Sequence, residues 1–197
     1  MVVVDVCHSA ALPDYDDCLG VIITGAHAMV TERLPWSEQT AAWLPGAVQQ
    51  RIPILGVCYG HQLLAQALGG VVAYNPHGPE YGSTAIRLTA AGQADVLLGG
   101  LGSPFLAQVA HFQSVIQLPP GAQLLAASSM DPHQAFCVQG CAWGVQFHPE
   151  ISAAVVQEYI QYNREALSQA GLNADALHIS VQDTPQAAQL LPRFAQF

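Results

Sequence analysis

The sequence predicts an α/β fold with three layers, in which an open, mostly parallel sheet lies between helices. Three observations support this prediction. Strand and helix patterns alternate through the first half of the chain, and the second half is rich in short apolar segments between Gly and Pro turns. Two helical stretches follow near the end. Such alternation favours parallel strands joined by helices, and the short strands add an antiparallel extension.

The elements of the first half follow apolar runs and helix start and stop residues. Ser37 is a predicted helix cap, and Pro45-Gly46 are expected to break that helix. Gly69-Gly70 end the next helix. The expected elements are, in order, strand Val2–Val6, strand Leu19–Thr24, helix Ser37–Gln50, strand Ile52–Val57 and helix Gln62–Leu68.

The second half is expected to hold short strands from Val71 to Phe147 and then two helices. An amphipathic helix is predicted over Ile151–Ala170, starting on Ser152. A last helix runs from Thr184 to about Phe194, with Pro at its first position. Because no repeat, low-complexity tract or linker interrupts the pattern, one domain over residues 1–197 is expected.

Composition excludes several classes of function. A chain of 197 residues with 51% hydrophobic content can fill one core. Only five residues are Lys or Arg and the formal net charge is −9, which argues against binding to nucleic acid. No apolar run is long enough to cross a membrane, and Met1–Asp5 does not resemble a signal peptide. The five scattered cysteines then predict reduced thiols and a cytoplasmic location.

The sequence also predicts neither a metal nor an organic cofactor. The eight histidines include no H-E-x-x-H pattern, and the cysteines include no C-x-x-C pattern. Cys137 and Cys141 have no matching histidine pair nearby. No G-x-x-x-x-G-K-[ST] loop is present to hold nucleotide phosphates.

The segment Gly56-Val-Cys-Tyr-Gly60 places a cysteine between an apolar strand and a helix. A nucleophile on such a turn lies at the carboxyl edge of the sheet, and the positive end of the following helix favours its thiolate. Cys58 is therefore a candidate nucleophile. By itself this frame is also compatible with a structural turn that holds a buried cysteine.

A second segment, Phe147-His-Pro-Glu150, follows a predicted strand. A cysteine nucleophile needs a base to accept its proton, and the base needs a partner that orients it. Cys58, His148 and Glu150 supply these three roles. The histidine and the glutamate alone would be typical of a surface pair at a strand end, but together with the cysteine they predict a catalytic triad.

These two segments resemble the class I (triad) glutamine amidotransferases, whose signature is G-[IV]-C-[YF]-G-x-Q followed later by F-H-P-E. The sequence matches both at Gly56–Gln62 and at Phe147–Glu150. The similarity extends from about Val3 to Tyr162 and includes Ile22-Ile-Thr-Gly25. It is greatest to stand-alone proteins related to the glutaminase domain of GMP synthase, and it implies the flavodoxin-like amidotransferase fold with a cysteine nucleophile elbow.

The resemblance implies hydrolysis of the glutamine side-chain amide to glutamate and ammonia. The cysteine thiolate attacks the carboxamide, ammonia leaves with a proton from His148, and water hydrolyses the γ-glutamyl thioester. The oxyanion is expected to bind backbone N–H groups at Tyr59 and at Gly25 or Ala26. This loop departs from the family pattern G-G-P-G-[ST], because the chain has Gly25-Ala-His-Ala-Met29.

The resemblance also implies a set of substrate-binding residues. Gln62 matches the position that hydrogen-bonds the substrate glutamine. Gln113 lies where the family often has the acid of S-H-x-D-x-V, so recognition of the substrate amino group differs here. The expected substrate-binding residues are Gln62, Glu80, Tyr81, Gly82, His111 and Gln113.

Three functions remain open at this point. The first is a glutaminase that passes ammonia to an acceptor on a separate synthetase subunit, since no synthetase segment is recognised in the chain. The second is a free-standing γ-glutamyl hydrolase or peptidase acting on a γ-glutamyl small molecule. The third is a catalytically idle regulatory subunit.

The resemblance further implies that the family's first strand and helix are missing. The family places both before the strand predicted at Val2–Val6, and the segment before Gly25 has room for only one strand and a turn. Because the missing strand is central in the family's sheet, we expect an anomalous amino-terminal edge. A gap, residues before Met1, or a strand from another chain, including a second copy in a homo-oligomer, would each account for it.

Overall fold

The computed structural model describes residues 1–8 and 10–197. Its strands are β1 Val21–Ile23, β2 Ile54–Val57, β3 Val71–Tyr74, β4 Glu80–Leu88, β5 Phe105–His111, β6 Gln113–Gln117, β7 Gln123–Ala127, β8 Ala135–Val138 and β9 Ala142–Val145. Its α-helices are α1 Pro35–Gln49, α2 Tyr59–Ala67, α3 Ala90–Ala94, α4 Ala153–Tyr162, α5 Arg164–Gln169, α6 Ala174–Ser180, α7 Pro185–Ala188 and α8 Leu190–Phe194.

The main sheet has seven strands in the order β1-β2-β9-β8-β7-β4-β5. The first three strands in this order are parallel to one another. From β9 onward every neighbouring pair is antiparallel. The predicted α/β class is confirmed, and the antiparallel extension is longer than the sequence indicated. Strands β3 and β6 form a separate antiparallel pair.

Helices cover the sheet on both sides, as the three-layer prediction requires. Along β2, Ile54 packs into a core with Leu44 of α1 and Leu63 of α2. The next residue, Leu55, packs into a second core that includes Leu190 of α8. Since successive side chains of a strand point to opposite faces, β2 is buried on both faces. This burial explains the uninterrupted apolar run of β2.

Helix α1 differs from the prediction at both ends and in the middle. It begins with Pro35 at its first position and with Leu34 as the cap residue, so Ser37 is not the cap. It also continues through Pro45, where a break was predicted. The last turn contains the fully buried Ala47, and burial of this turn against the core offsets the hydrogen bond that proline cannot make.

The other helix boundaries also differ from the prediction. Helix α2 begins directly after Cys58, earlier than expected. The amphipathic helix predicted over Ile151–Ala170 is divided at Asn163 into α4 and α5, and α6 was not predicted. The two short helices α7 and α8 lie within the stretch predicted to be the last helix. None of the helices in the described ranges is both long enough and apolar enough to cross a lipid bilayer.

The strand predicted at Val2–Val6 is wrong. Residues 2–5 have no regular secondary structure, and Val6–His8 forms a short 3-10 helix. Val2 is 87% exposed and Val3 is 83% exposed. A β-branched run becomes a strand only where a neighbouring strand accepts its hydrogen bonds, and this run has none within residues 1–8 and 10–197. In the same described part of the chain, β1 pairs only with β2 and forms the edge of the sheet.

Candidate active site

The parallel strands place the candidate catalytic residues close together at one edge of the sheet. Because β1, β2 and β9 are parallel, their carboxyl ends meet at the same edge of the sheet. Gly25 follows β1, Cys58 directly follows β2, and His148 follows β9. All three residues line a cavity of about 390 Å³. The structure therefore brings together residues that are far apart in sequence.

Cys58 occupies a turn whose backbone conformation is unfavourable for a residue with a side chain. Its φ is 51° and its ψ is −102°. A conformation of this kind costs on the order of 1–3 kcal/mol and persists only where the surroundings impose it. Here the Cys58 N–H donates to the Val145 carbonyl at 2.9 Å, and the Cys58 carbonyl accepts from the Gln62 N–H at 3.1 Å.

The glycines on either side of Cys58 are required by close backbone contacts. A Cβ at Gly56 would collide with the carbonyl group of Gly60. A Cβ at Gly60 would collide with the carbonyl group of Ile23 in β1. The G-x-C-x-G pattern thus lets the strand, the turn and the first turn of α2 pack without space between them.

His148 is fixed by its backbone and by Glu150. The His148 N–H donates to the Gln108 carbonyl at 2.8 Å, which ties the residue to β5. Its Nδ1 donates to Glu150 Oε1 at 2.6 Å. The other ring nitrogen is therefore left for the Cys58 thiol, with which the imidazole also interacts. The His148 ring is buried, whereas the Glu150 side chain is 36% exposed.

The charges of Cys58 and His148 stabilise each other. Burial alone would raise the pKa of the Cys58 thiol, but the positive charge and hydrogen bond of His148 lower it overall. Burial alone would lower the pKa of His148, but the thiolate and then Glu150 raise it to about 10. Both shifts favour the thiolate–imidazolium form of the pair, which is the reactive form of a cysteine nucleophile.

The predicted oxyanion donors lie beside this pair. Tyr59 is the first residue of α2, so its N–H has no acceptor in the preceding turn of the helix. Its hydroxyl donates to Ser37 Oγ at 2.6 Å, which holds the residue in place. Tyr59, Gly25 and Ala26 all line the cavity. Ala26 is not among the non-glycine residues with positive φ, so the alanine fits this loop without backbone strain.

Gln62 and Gln113 form one wall of the cavity. The Gln62 amide donates to the Gln113 carbonyl at 2.7 Å and to Gln146 Oε1 at 3.0 Å. The Gln113 side chain donates to Thr31 Oγ1 at 2.6 Å, and its Oε1 has no partner among the described residues. A buried oxygen without a partner is an acceptor that a donor from a ligand would satisfy once the side chain moves toward it.

The remaining predicted substrate-binding residues are divided between the cavity and the interior. Tyr81 and His111 line the cavity. Glu80 and Gly82 do not, so their predicted direct contact with substrate is not supported. The Glu80 carboxylate instead lies behind the wall, where it accepts a hydrogen bond from His111 Nε2 at 3.1 Å. Within β4, alternation separates Tyr81 from Glu80 and Gly82, because neighbouring strand residues point to opposite faces.

Sequence reasoning missed an aromatic and apolar part of the cavity. Tyr159 and Asn163 line it from the end of α4, and His27 packs edge-on against the Tyr159 ring with centroids 6.0 Å apart. Phe112 packs edge-on against Tyr81 at 5.5 Å. The spacing of Tyr159 and Asn163 by four residues on a helix after the F-H-P-E motif was the available indication.

The comparisons with known proteins agree with this geometry. The sequence matches the model of the family described as glutamine amidotransferase class-I over residues 3–164. The glutamine-hydrolyzing GMP synthase of Aeropyrum pernix is 36% identical over 148 residues, which cover 75% of this chain and 26% of that protein. The chain thus spans about a quarter of the length of the curated GMP synthases that it matches.

Solved structures show the same fold. A glutamine amidotransferase from Methylobacillus flagellatus is 28% identical with a TM-score of 0.77, covering 95% of this chain and 78% of that one. A glutamine amidotransferase from Thermotoga maritima has a TM-score of 0.79 at 20% identity, covering 98% of this chain and 84% of that one. The family match covers most of the chain, and the chain therefore belongs to the class-I glutamine amidotransferase family.

Proposed function

We propose that this chain hydrolyses the side-chain amide of glutamine to glutamate and ammonia, with Cys58, His148 and Glu150 as its catalytic triad. The observation that carries the proposal is the buried Cys58–His148 pair, in which each charge stabilises the other. Cys58 lies on the strained turn between β2 and α2. Such a pair supplies an activated nucleophile and a proton donor within one cavity.

The reaction follows from the protonation states of the pair. The Cys58 sulfur forms a bond to the amide carbon, and the carbonyl oxygen becomes an oxyanion. His148 gives its proton to the nitrogen, the C–N bond breaks, and ammonia leaves a γ-glutamyl thioester on Cys58. Neutral His148 then accepts a proton from water, the hydroxide adds to the thioester carbon, and glutamate leaves the regenerated thiolate. Glu150 holds the His148 ring in the tautomer that both steps require.

Backbone groups of the two neighbouring loops complete the proposed site. The N–H of Tyr59 and a backbone N–H at Gly25 or Ala26 would stabilise the oxyanion. The side-chain oxygens of Gln62 and Gln113 would accept hydrogen bonds from the amino-acid end of the substrate. The Gln113 Oε1 supports this role, since it is a buried acceptor without a partner among the described residues, in a residue that lines the cavity.

We further propose that the ammonia is passed to an acceptor that a synthetase partner activates. The support is that the GMP synthases matched here are about four times as long as the matched region. The names of these relatives join glutamine hydrolysis to a synthase reaction, and the region that matches this chain is about a quarter of their length.

A free-standing γ-glutamyl hydrolase is the second candidate. It would use the same thioester but release an amine or amino acid instead of ammonia. Two observations favour it: the neutral Gln113 replaces the usual family acid, and the cavity has an aromatic wall that includes Tyr81, Phe112 and Tyr159. An apolar wall of this kind could hold a leaving group larger than ammonia.

The test is to give the purified protein glutamine and, separately, a series of γ-glutamyl dipeptides, while measuring ammonia and glutamate. Release of both products from glutamine, absent in Cys58→Ala, supports the proposed function. Efficient cleavage of dipeptides with little ammonia from glutamine moves the assignment to the second candidate. No turnover of either substrate, with and without added cell extract, would favour an idle regulatory subunit.

A further inference from the structure

A second buried charged pair lies directly behind the cavity. Glu80 and His111 face each other in the antiparallel register of β4 and β5. His111 Nε2 and Glu80 Oε2 are 3.1 Å apart, and both side chains are almost fully buried. Buried ion pairs are costly unless further hydrogen bonds satisfy both partners, so their surroundings are informative.

The surroundings fix the charge of both partners. The two Glu80 oxygens accept from Ser128 Oγ at 2.7 Å and from Gln134 Nε2 at 2.7 Å. On the other side of the His111 ring, Nδ1 lies 3.0 Å from the Gln113 carbonyl, which can only accept. Ser114 Oγ lies further away, at 3.4 Å from Nδ1. Both ring nitrogens of His111 therefore face close acceptors, which favours the doubly protonated imidazolium.

His111 also faces the nucleophile, because it lines the same cavity as Cys58. The charged or titratable groups that act on Cys58 are His148, His111 and Glu150, and Tyr81 faces it as well. Those that act on His111 are Glu80, Asp131, Cys58 and the buried His61. Two imidazolium groups thus act on Cys58: His148, which exchanges protons with substrate, and His111, whose two ring nitrogens both face acceptors.

We propose that the Glu80–His111 pair is a positioning pair that holds a positive charge beside Cys58 and, together with His148, stabilises its thiolate. This proposal rests on the proposed function. His148 is positively charged before Cys58 attacks the amide and again when Cys58 leaves the second tetrahedral intermediate, because it has by then accepted a proton from water. The fixed charge of His111 adds to that of His148 at both of these points, when Cys58 is a thiolate.

The same pair also positions the wall of the cavity that Gln62 and Gln113 form. The Gln113 carbonyl that accepts from His111 also accepts from the Gln62 amide at 2.7 Å. Loss of the charge on His111 would therefore weaken a contact that orients Gln62. The electrostatic effect should change the reactivity of Cys58, whereas the effect on Gln62 should change the KM for glutamine.

The test compares Glu80→Gln with Ser128→Ala in the full chain. A glutamine at position 80 keeps the size of the side chain but removes the charge that offsets the burial of the His111 imidazolium. Ser128→Ala removes one hydrogen bond to the same carboxylate without a change of charge, and it is the matched control. For each protein, the rate of Cys58 alkylation by iodoacetamide is measured across pH, with Cys58→Ala to subtract the other cysteines.

We expect the midpoint of the Cys58 alkylation profile to rise by on the order of one pH unit in Glu80→Gln and to stay within a few tenths in Ser128→Ala, as expected for a unit charge at close range. Glu80→Asp keeps the negative charge, so its midpoint should lie closer to the wild-type value than the midpoint of Glu80→Gln does. An unchanged midpoint in Glu80→Gln would overturn the proposal. If that variant does not fold, His111→Gln must show the same rise, and an unchanged midpoint there overturns it equally.

Alkylation needs no substrate, so this test is separate from the proposed function. A wild-type protein that turns over neither glutamine nor γ-glutamyl dipeptides, while Glu80→Gln still shifts the alkylation midpoint, would refute the function and leave the positioning pair intact. Turnover of glutamine by the wild type, with no shift of the alkylation midpoint in Glu80→Gln, would support the function and refute the positioning pair.

Discussion

The substitution Gly25→Ala tests whether the loop after β1 sets the geometry of the catalytic pair. A Cβ at Gly25 would lie 3.3 Å from His148 Cε1 and 3.8 Å from Cys58 Cβ. Carbon atoms in contact are normally about 3.5–4.0 Å apart, so the His148 ring must shift by a few tenths of an ångström. The backbone at Gly25 needs no positive φ, and the added methyl is therefore the whole perturbation.

The expected loss follows from this displacement. Misplacement of a catalytic group by about 1 Å can cost about a hundredfold in rate, so a few tenths of an ångström should cost roughly three- to tenfold in kcat/KM. Gly20→Ala is the matched control, because its added Cβ would make only an ordinary contact of 3.5 Å with the Pro53 carbonyl oxygen. For both variants, the free energy of unfolding should lie within about 0.5 kcal/mol of the wild-type value.

The assay is ammonia release from glutamine, together with the rate of Cys58 alkylation at neutral pH. We expect Gly25→Ala to lose activity and Gly20→Ala to keep it. Wild-type kcat/KM in a folded Gly25→Ala protein would refute the inference that Gly25 is packed against the catalytic pair. A comparable loss in both variants would instead point to a general effect on β1.

The remaining predictions concern the base, a buried histidine and the partner. His148→Gln removes the base and should reduce kcat roughly a hundred times more than Glu150→Gln, which removes only the orienting carboxylate. Equal losses of kcat in the two variants would contradict the assigned roles. Burial depresses the pKa of His61 from 6.5 to about 4, so its contribution to stability is present above pH 6.5 and is lost as the pH falls through 4. In the wild type, the free energy of unfolding should therefore fall between pH 7 and pH 4, and His61→Phe should reduce this fall by up to about 3 kcal/mol. Urea titrations at both pH values measure it, and an equal fall in the two proteins would contradict this reasoning. Hydrolysis of free glutamine by the isolated chain should be slow and should rise when the acceptor-activating partner is added, whereas fast hydrolysis with no response to cell extract would argue against a partner.

The sequence was sufficient for the parts of the site that depend on local backbone geometry. Gly56 and Gly60 are needed because their positions leave no room for a side chain, and such a requirement is visible as a short glycine pattern around Cys58. The strand before the turn is buried on both faces and therefore appears as an apolar run. The histidine and its carboxylate are two residues apart, so their pairing is also local.

Features that depend on pairing between distant segments could not be predicted. Glu80 and His111 were both selected for contact with substrate, but their partnership depends on the register between β4 and β5. Val2–Val6 has the composition of a strand without a neighbour to complete it, and Pro45 stays helical because tertiary burial outweighs its local cost. In each case the deciding energy comes from contacts that the local sequence does not contain.

The central claim is that Cys58 carries the γ-glutamyl group during turnover. Rapid acid quenching of the enzyme during glutamine hydrolysis, followed by intact-mass and peptide analysis, tests this directly. We expect a mass increase equal to one γ-glutamyl group on the peptide that contains Cys58. Hydroxylamine should remove it, and it should be absent from Cys58→Ala. Steady ammonia release from glutamine by Cys58→Ala, or an adduct on a different residue, would contradict it.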